Sequence, residues 1–305
     1  MDRIQQINYE KDFTIDFLRS RGDAFQRLFE KLMSKLYPGD FMACRPWGKV
    51  GDRKNDGYLP SKRTLFQVYA PNEMSATEAI AKINEDFAGA IEHWEEYFDV
   101  WMFVHNTHDG RLPPHIIEEL LRLNQANPHI KIAHSGYEEL LIEFRKLDII
   151  VLESWYGPAM TTSDKVNLGF DDLKAVLTHI ATAQDPITVE PKDVPFGKIE
   201  YNLLSPAVVS FLKVGMEKAP LVKAFFKGWK NPTYGIQIAA AFKNRYAELR
   251  DQKPSLHPDD IFGRLEEWAG GTTEVSPKRK AAILAVLAYL FDSCDIFEEP
   301  PKLSQ

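Results

Sequence analysis

Cysteine is nearly absent from this 305-residue chain: Cys44 and Cys294 stand alone and far apart. With no Cys-x-x-Cys and no Cys/His cluster, a structural zinc site is not expected, and two isolated thiols suit a reducing compartment. No run of about 18 apolar residues occurs, which excludes a transmembrane helix of ordinary length. The opening Met1-Asp-Arg-Ile-Gln-Gln lacks the apolar core of a secretion signal, so a cytoplasmic protein without membrane attachment is expected. There is no Gly-x-Ser-x-Gly elbow and no phosphate-binding P-loop, which removes serine hydrolases and P-loop ATPases. Nor is there a surplus of positive charge. The net charge of −7 argues against a protein that coats nucleic acid nonspecifically.

What is present is an ordinary globular composition, 44% hydrophobic and 27% charged. The length suits two domains. Up to about residue 155 the pattern alternates. Amphipathic helices are expected at 23–36, 76–97, 113–124 and 136–144, with Asp23 a cap for the first. Short strands are expected at 41–44, 58–59, 64–70, 100–105 and 130–133. Val100 to His105 is continuously apolar, as in a central strand covered on both faces. This predicts an α/β layered domain over 1–155, with a mixed sheet flanked by helices. After a Pro-rich connector at 186–195, helical periodicity takes over, and a mainly helical domain is expected over 160–305.

Charge is unevenly placed. Between residues 31 and 63, Lys31, Lys35, Arg45, Lys49, Arg53, Lys54, Lys62 and Arg63 face only Asp40, Asp52 and Asp56. Within this basic stretch Asp56-Gly57 precedes a short strand carrying Gln67 and Tyr69. Alternate strand residues share a face, so these two project together, and a hairpin would bring Asp56 to Gln67. Asp56 offers a carboxylate, Gln67 an amide oxygen, and Val68 a main-chain carbonyl. Glu30, from the preceding helix, offers a second carboxylate. Hard oxygen donors of this kind suit Mg2+ (or Mn2+) and phosphodiester hydrolysis. Asp-Gly also serves hairpins for backbone reasons alone. His105, His108 and Asp109, at the end of the apolar strand, are weaker candidates for ligands or a proton donor; Trp47 suits packing under the hairpin.

The ordered set Phe29-Glu30, Gly51-Asp52…Asp56-Gly57 and Gln67-Val68-Tyr69 resembles the PD-(D/E)XK, or restriction-endonuclease-like, nucleases, most closely Mrr-like enzymes. The resemblance covers roughly residues 23–150. It implies a metal-dependent DNA endonuclease. Asp56, Gln67, Glu30 and Tyr69 would be catalytic, and Glu30, Asp56, Gln67 and Val68 would ligate the metal. Lys54, Lys62 and Arg63 would contact the backbone of double-stranded DNA. One position departs from the pattern: Tyr69 stands where the family carries a lysine that activates water. Ala281 to Pro300, with Lys198 to Ser205 upstream, looks like the C-terminal domain of effectors in ABC-three-component antiphage systems. That implies oligomerisation or a complex with an SMC-like or ABC-type ATPase. The alternative is a catalytically degenerate adaptor that binds DNA or a partner in the same complex.

Overall fold

The computed structural model describes residues 1–44, 53–73, 75–107, 110–181, 197–272, 274–293 and 295–300. The expected turn at Trp47, the Gly51-Asp52 pair, His108, Asp109, the 186–195 connector and Cys294 lie outside the described residues. The chain divides into two compact units, Asp16–Asp148 and a second made of Met1–Ile15 with Ile149–Gln305. The sequence reading groups the first fifteen residues with the sheet; here they belong to the helical unit. Helix α1 (Arg3–Arg19) crosses the boundary. It carries no clean apolar stripe, because the buried positions Asn8, Lys11 and Thr14 are polar.

In the sheet unit, α2 (Asp23–Leu36) is followed by β1 (Met42–Ala43), β2 (Gly57–Leu59) and β3 (Thr64–Tyr69). Then come α3 (Ala76–Trp94), β4 (Val100–His105), α4 (Pro114–Ala126), β5 (Lys131–Ser135) and α5 (Tyr137–Phe144). The five strands lie in sequence order. β1, β2 and β3 pair antiparallel, whereas β3, β4 and β5 pair parallel. Parallel neighbours need a crossover, and α3 and α4 supply one each. Asp23 opens α2 but does not cap it; Gly22 does, at φ 49°, a left-handed value that favours glycine.

The two sheet faces are sorted by alternation. Phe66 packs on Phe29 of α2 with ring centroids 5.3 Å apart. Its neighbour Leu65 belongs instead to a core with Trp101, Phe103, Ala79, Ile83 and Phe87. Leu65, Gln67 and Tyr69 therefore share the face covered by α3 and α4, and Phe66 and Val68 face the other way. β4 is covered on both faces, which is why its sequence is apolar throughout.

The helical unit continues with α6 (Ile149–Tyr156), α7 (Thr162–Val166), α8 (Phe170–Ala181), α9 (Lys198–Tyr201) and α10 (Pro206–Met216). It ends with α11 (Ala219–Gly228), α12 (Tyr234–Arg250), α13 (Pro258–Trp268) and α14 (Pro277–Asp292). α14 is buried from Lys280 to Ala288 without a break, the mark of a helix packed on all sides. Gly215 lets α10 approach it closely: a Cβ there would lie 2.8 Å from the Leu284 carbonyl oxygen. Lys11 pairs with Glu266 at 2.6 Å in this unit, both buried. Lys198, also buried, donates to the carbonyls of Phe291 and Ile296 at 2.7 Å and so closes the C-terminal end of α14.

Candidate functional site

β2 begins at Gly57, one residue after Asp56. The Asp56 main chain already reaches the ladder, donating to Phe66 O at 3.0 Å. Its carboxylate then extends the pairing: Oδ2 accepts the Val68 N–H at 2.7 Å, where no β2 carbonyl is available. Asp56 is thereby fixed against β3 and is 6% exposed. Gly57 is not a turn residue here. It is demanded by packing, because a Cβ would lie 2.5 Å from Phe41 Cζ. The turn comes later, at Pro60–Lys62, with Arg63 in the left-handed region at φ 44°.

Beside Asp56 two amide oxygens have no hydrogen-bond partner among the described residues: Asn55 Oδ1 and Gln67 Oε1. Their residues are 2% and 5% exposed. A buried carbonyl without a donor costs on the order of 1–3 kcal/mol, and native structures keep few. A third orphan oxygen is connected to them. Asp86 of α3 is fully buried; its Oδ1 takes Lys82 Nζ at 2.8 Å and Lys54 Nζ at 3.2 Å, while Oδ2 has no hydrogen-bond partner. Lys54 also pairs with Glu85, and its stem covers Gly89, where a Cβ would meet Lys54 Cγ at 2.5 Å. A continuous chain of residues and bonds thus runs Asp86, Lys54, Asn55, Asp56, Val68, Gln67.

This segment carries backbone strain. Arg53 and Lys54 both have positive φ, 52° and 61°, at a cost of roughly 1–3 kcal/mol each. Trp94 Nε1 donates to the Arg53 carbonyl at 3.1 Å, and the Lys54 ion pairs hold the next residue. These contacts raise the Lys54 ammonium above its ordinary pKa, chiefly through the bond to Glu85. Asn55 and Asp86 were not singled out from the sequence. The available signal was weak: Asn55 precedes the Asp-Gly pair, and Asp86 lies on the apolar side of its helix.

The structure does not join Glu30 to this group. Glu30 is half-buried and accepts from Gln26 Nε2 at 3.1 Å, with no bond to Asp56 or Gln67 among the described residues. Its helix covers the Phe66 face, whereas Gln67 projects to the other. Tyr69 does share the Gln67 face. Its ring stacks on Phe103 at 6.0 Å, and burial pushes its phenol pKa up, so it is a neutral donor at pH 7. The remaining basic candidates have partners within the fold. Lys62 donates to Tyr37 Oη at 2.8 Å, and Arg63 Nε to Asp99 Oδ2 at 2.8 Å.

His105 stands beside Tyr69 in the β3–β4 register. It is fully buried, in a notch opposite Gly136, where a Cβ would lie 2.6 Å from His105 Cε1. Thr107 Oγ1 lies 2.7 Å from its Nδ1, and its Nε2 faces His134 Nδ1 at 3.4 Å. A cavity of about 260 Å³ elsewhere in the unit is lined by Phe29, Tyr37, Phe66, His134 and Glu143, and of the expected site residues only Lys62 reaches it. Among the described residues no three His, Cys, Asp or Glu side chains gather as a metal site. Asn55, Asp56 and Gln67 carry oxygens of another kind, one carboxylate and two amides, of a type that hard cations accept.

No helix among the described residues is long and apolar enough to cross a membrane. No curated protein and no solved structure matches the chain. Residues 171–298, from the first turn of α8 to the segment beyond α14, match the family of C-terminal domain 10 of the ABC-three component (ABC-3C) systems.

Proposed function

We propose that the chain is an effector of an ABC-three component antiphage system, whose sheet unit hydrolyses DNA phosphodiesters with a divalent cation and whose helical unit joins partner subunits. The observation that carries the catalytic half is the pair of buried, partnerless oxygens, Asn55 Oδ1 and Gln67 Oε1, flanking a carboxylate fixed by Val68 N–H. The element order supports it as well: a helix, three antiparallel strands, a helix and a parallel strand follow the order of the restriction-endonuclease-like resemblance. Asp56, Gln67 and Asn55 would hold Mg2+ or Mn2+, with the Val68 carbonyl alongside. Such an ion supplies charge neutralisation at the phosphate and lowers the pKa of a coordinated water. Lys54 is taken up by Glu85 and Asp86, so its part is to position the Asn55-Asp56 segment. Lys62 and Arg63 are exposed and could exchange their present partners for phosphates, since surface pairs are weak. Glu30 remains a candidate only through a ligand-bridged contact.

The test is cleavage of plasmid DNA by the full chain with its partner subunits, in Mg2+ and in EDTA. Nicking that needs Mg2+ and disappears in Asp56→Asn and Gln67→Met is the expected result. Undiminished cleavage by both variants would sink the assignment. The adaptor reading has its own support, in Tyr69 at the lysine position and in the partnered state of Lys54, Lys62 and Arg63. Absence of both metal binding and cleavage in the assembled system would select it.

A further inference from the structure

The helical unit holds a second cationic region, remote in sequence from the first. Between residues 204 and 247 six lysines and Arg245 stand against Glu217 alone, in a chain of net charge −7. Arg245 is paired with Glu248, and Glu217 with Lys165. Lys223 and Lys227 are different. They lie one turn apart on α11, exposed, and make no hydrogen bond or ion pair among the described residues. Both line a cavity of about 270 Å³. Its remaining wall is largely apolar and aromatic: Phe226 from α11, Gly235, Ile236 and Ala239 from α12, and Tyr289 from α14. Gly235 lets α12 pack closely on this wall, since a Cβ there would lie 3.0 Å from Phe226 Cγ.

Apolar walls below a rim of unpaired cations define a chemistry. The cavity is sized for one large side chain, and the rim is complementary to carboxylates placed on either side of it. A nucleic-acid strand fits less well. Strand-binding surfaces offer open aromatic faces in series along a basic track. Here Phe226 is already packed between Tyr234 at 6.2 Å and Tyr289 at 5.6 Å. Asp295 also lines the cavity, so the group that enters it is itself uncharged, with any acids held outside at Lys223 and Lys227.

We propose that this cavity docks an acidic segment of a partner protein, seating one aromatic or large aliphatic side chain among α11, α12 and α14 with flanking carboxylates on Lys223 and Lys227. The inference concerns the helical unit alone and stands whether or not the sheet unit cleaves DNA. It is tested on the full chain by fluorescence anisotropy with labelled peptides of Asp and Glu carrying a single central Phe, Trp or Leu. Controls replace the central residue by Ala or the acids by Lys. A 15-nucleotide oligo-dT strand and a 15-base-pair duplex complete the set. Saturable binding of at least one acidic peptide is expected. The central Ala should weaken it about tenfold, as burial of a large apolar side chain requires. Lys223→Glu/Lys227→Glu should abolish it, whereas the equal charge change Lys131→Glu/Lys146→Glu in the sheet unit should not. No peptide binding, equal loss in both double variants, or tighter binding of the oligonucleotides each overturns the proposal.

Discussion

The two units treat buried polarity in opposite ways. In the helical unit, buried lysines are tied off: Lys11 by Glu266, Lys198 by two carbonyls, Lys280 by the Tyr156 carbonyl at 3.1 Å. Among the described residues its buried side-chain atoms without a hydrogen bond include Arg245 Nε, Asp259 Oδ2 and Arg279 Nε, on three different helices. In the sheet unit Trp101 Nε1 is one more such atom, but Asn55, Asp86 and Gln67 leave oxygens without a hydrogen bond among the described residues within one linked run, next to two residues of left-handed backbone. Scattered orphans are what an ordinary core tolerates. Connected orphans beside strain are the observation on which the proposed cation site rests.

The sharpest way to break the comparison is Lys11→Ala. It would strand the Glu266 carboxylate in the core of the helical unit, with an expected loss of about 3–5 kcal/mol by urea unfolding. Lys11→Met/Glu266→Leu should recover most of that loss. If Lys11→Ala costs nothing, the buried pair does not organise the unit.

Next in size is Asp259. Burial pushes its carboxyl up to about 6 from 3.8, although Oδ1 accepts the Ser205 N–H at 3.0 Å. Between these values the folded chain holds a proton that the unfolded chain has released. Its contribution to stability is therefore full below about pH 4 and lost as pH rises through 6, on the order of 2–3 kcal/mol in all. Asp259→Asn keeps the acceptor and should flatten that slope between pH 4 and 7. An unchanged slope would remove Asp259 as its source.

In the sheet unit the sign should invert. Gln67→Met exchanges an orphan amide for an apolar group of like size. It should stabilise the protein by about 1–2 kcal/mol while removing the proposed metal-dependent cleavage. Destabilisation would mean that Gln67 has a structural partner after all. The smallest effect belongs to Asp56→Asn, which retains an oxygen for Val68 N–H. Less than about 1 kcal/mol should be lost, with the proposed cleavage abolished.

Much of the fold was legible because its signals are local. The helical pattern of 206–216, the long apolar run within 277–292 and the apolar run of β4 needed no tertiary information. Helix α1 was not legible, since Asn8, Lys11 and Thr14 occupy buried positions, and Asn8 and Lys11 are met there by the distant Met160 N–H and Glu266. The Asp56–Gln67 pairing followed from strand alternation. The place of Glu30 did not, because a Phe-Glu pair does not say over which sheet face its helix will lie. Asn55 and Asp86 were hidden for a related reason: an orphan oxygen is defined by neighbours that fail to arrive.

Everything said of the sheet unit turns on whether those oxygens await a cation. Calorimetric titration of Mn2+ into the full chain, its Gln67→Met and its Asn55→Ala variants tests this without reference to cleavage. One saturable site is expected in the parent, weakened about tenfold or more in each variant. No saturable binding in the parent, or equal affinity in all three, would contradict the account.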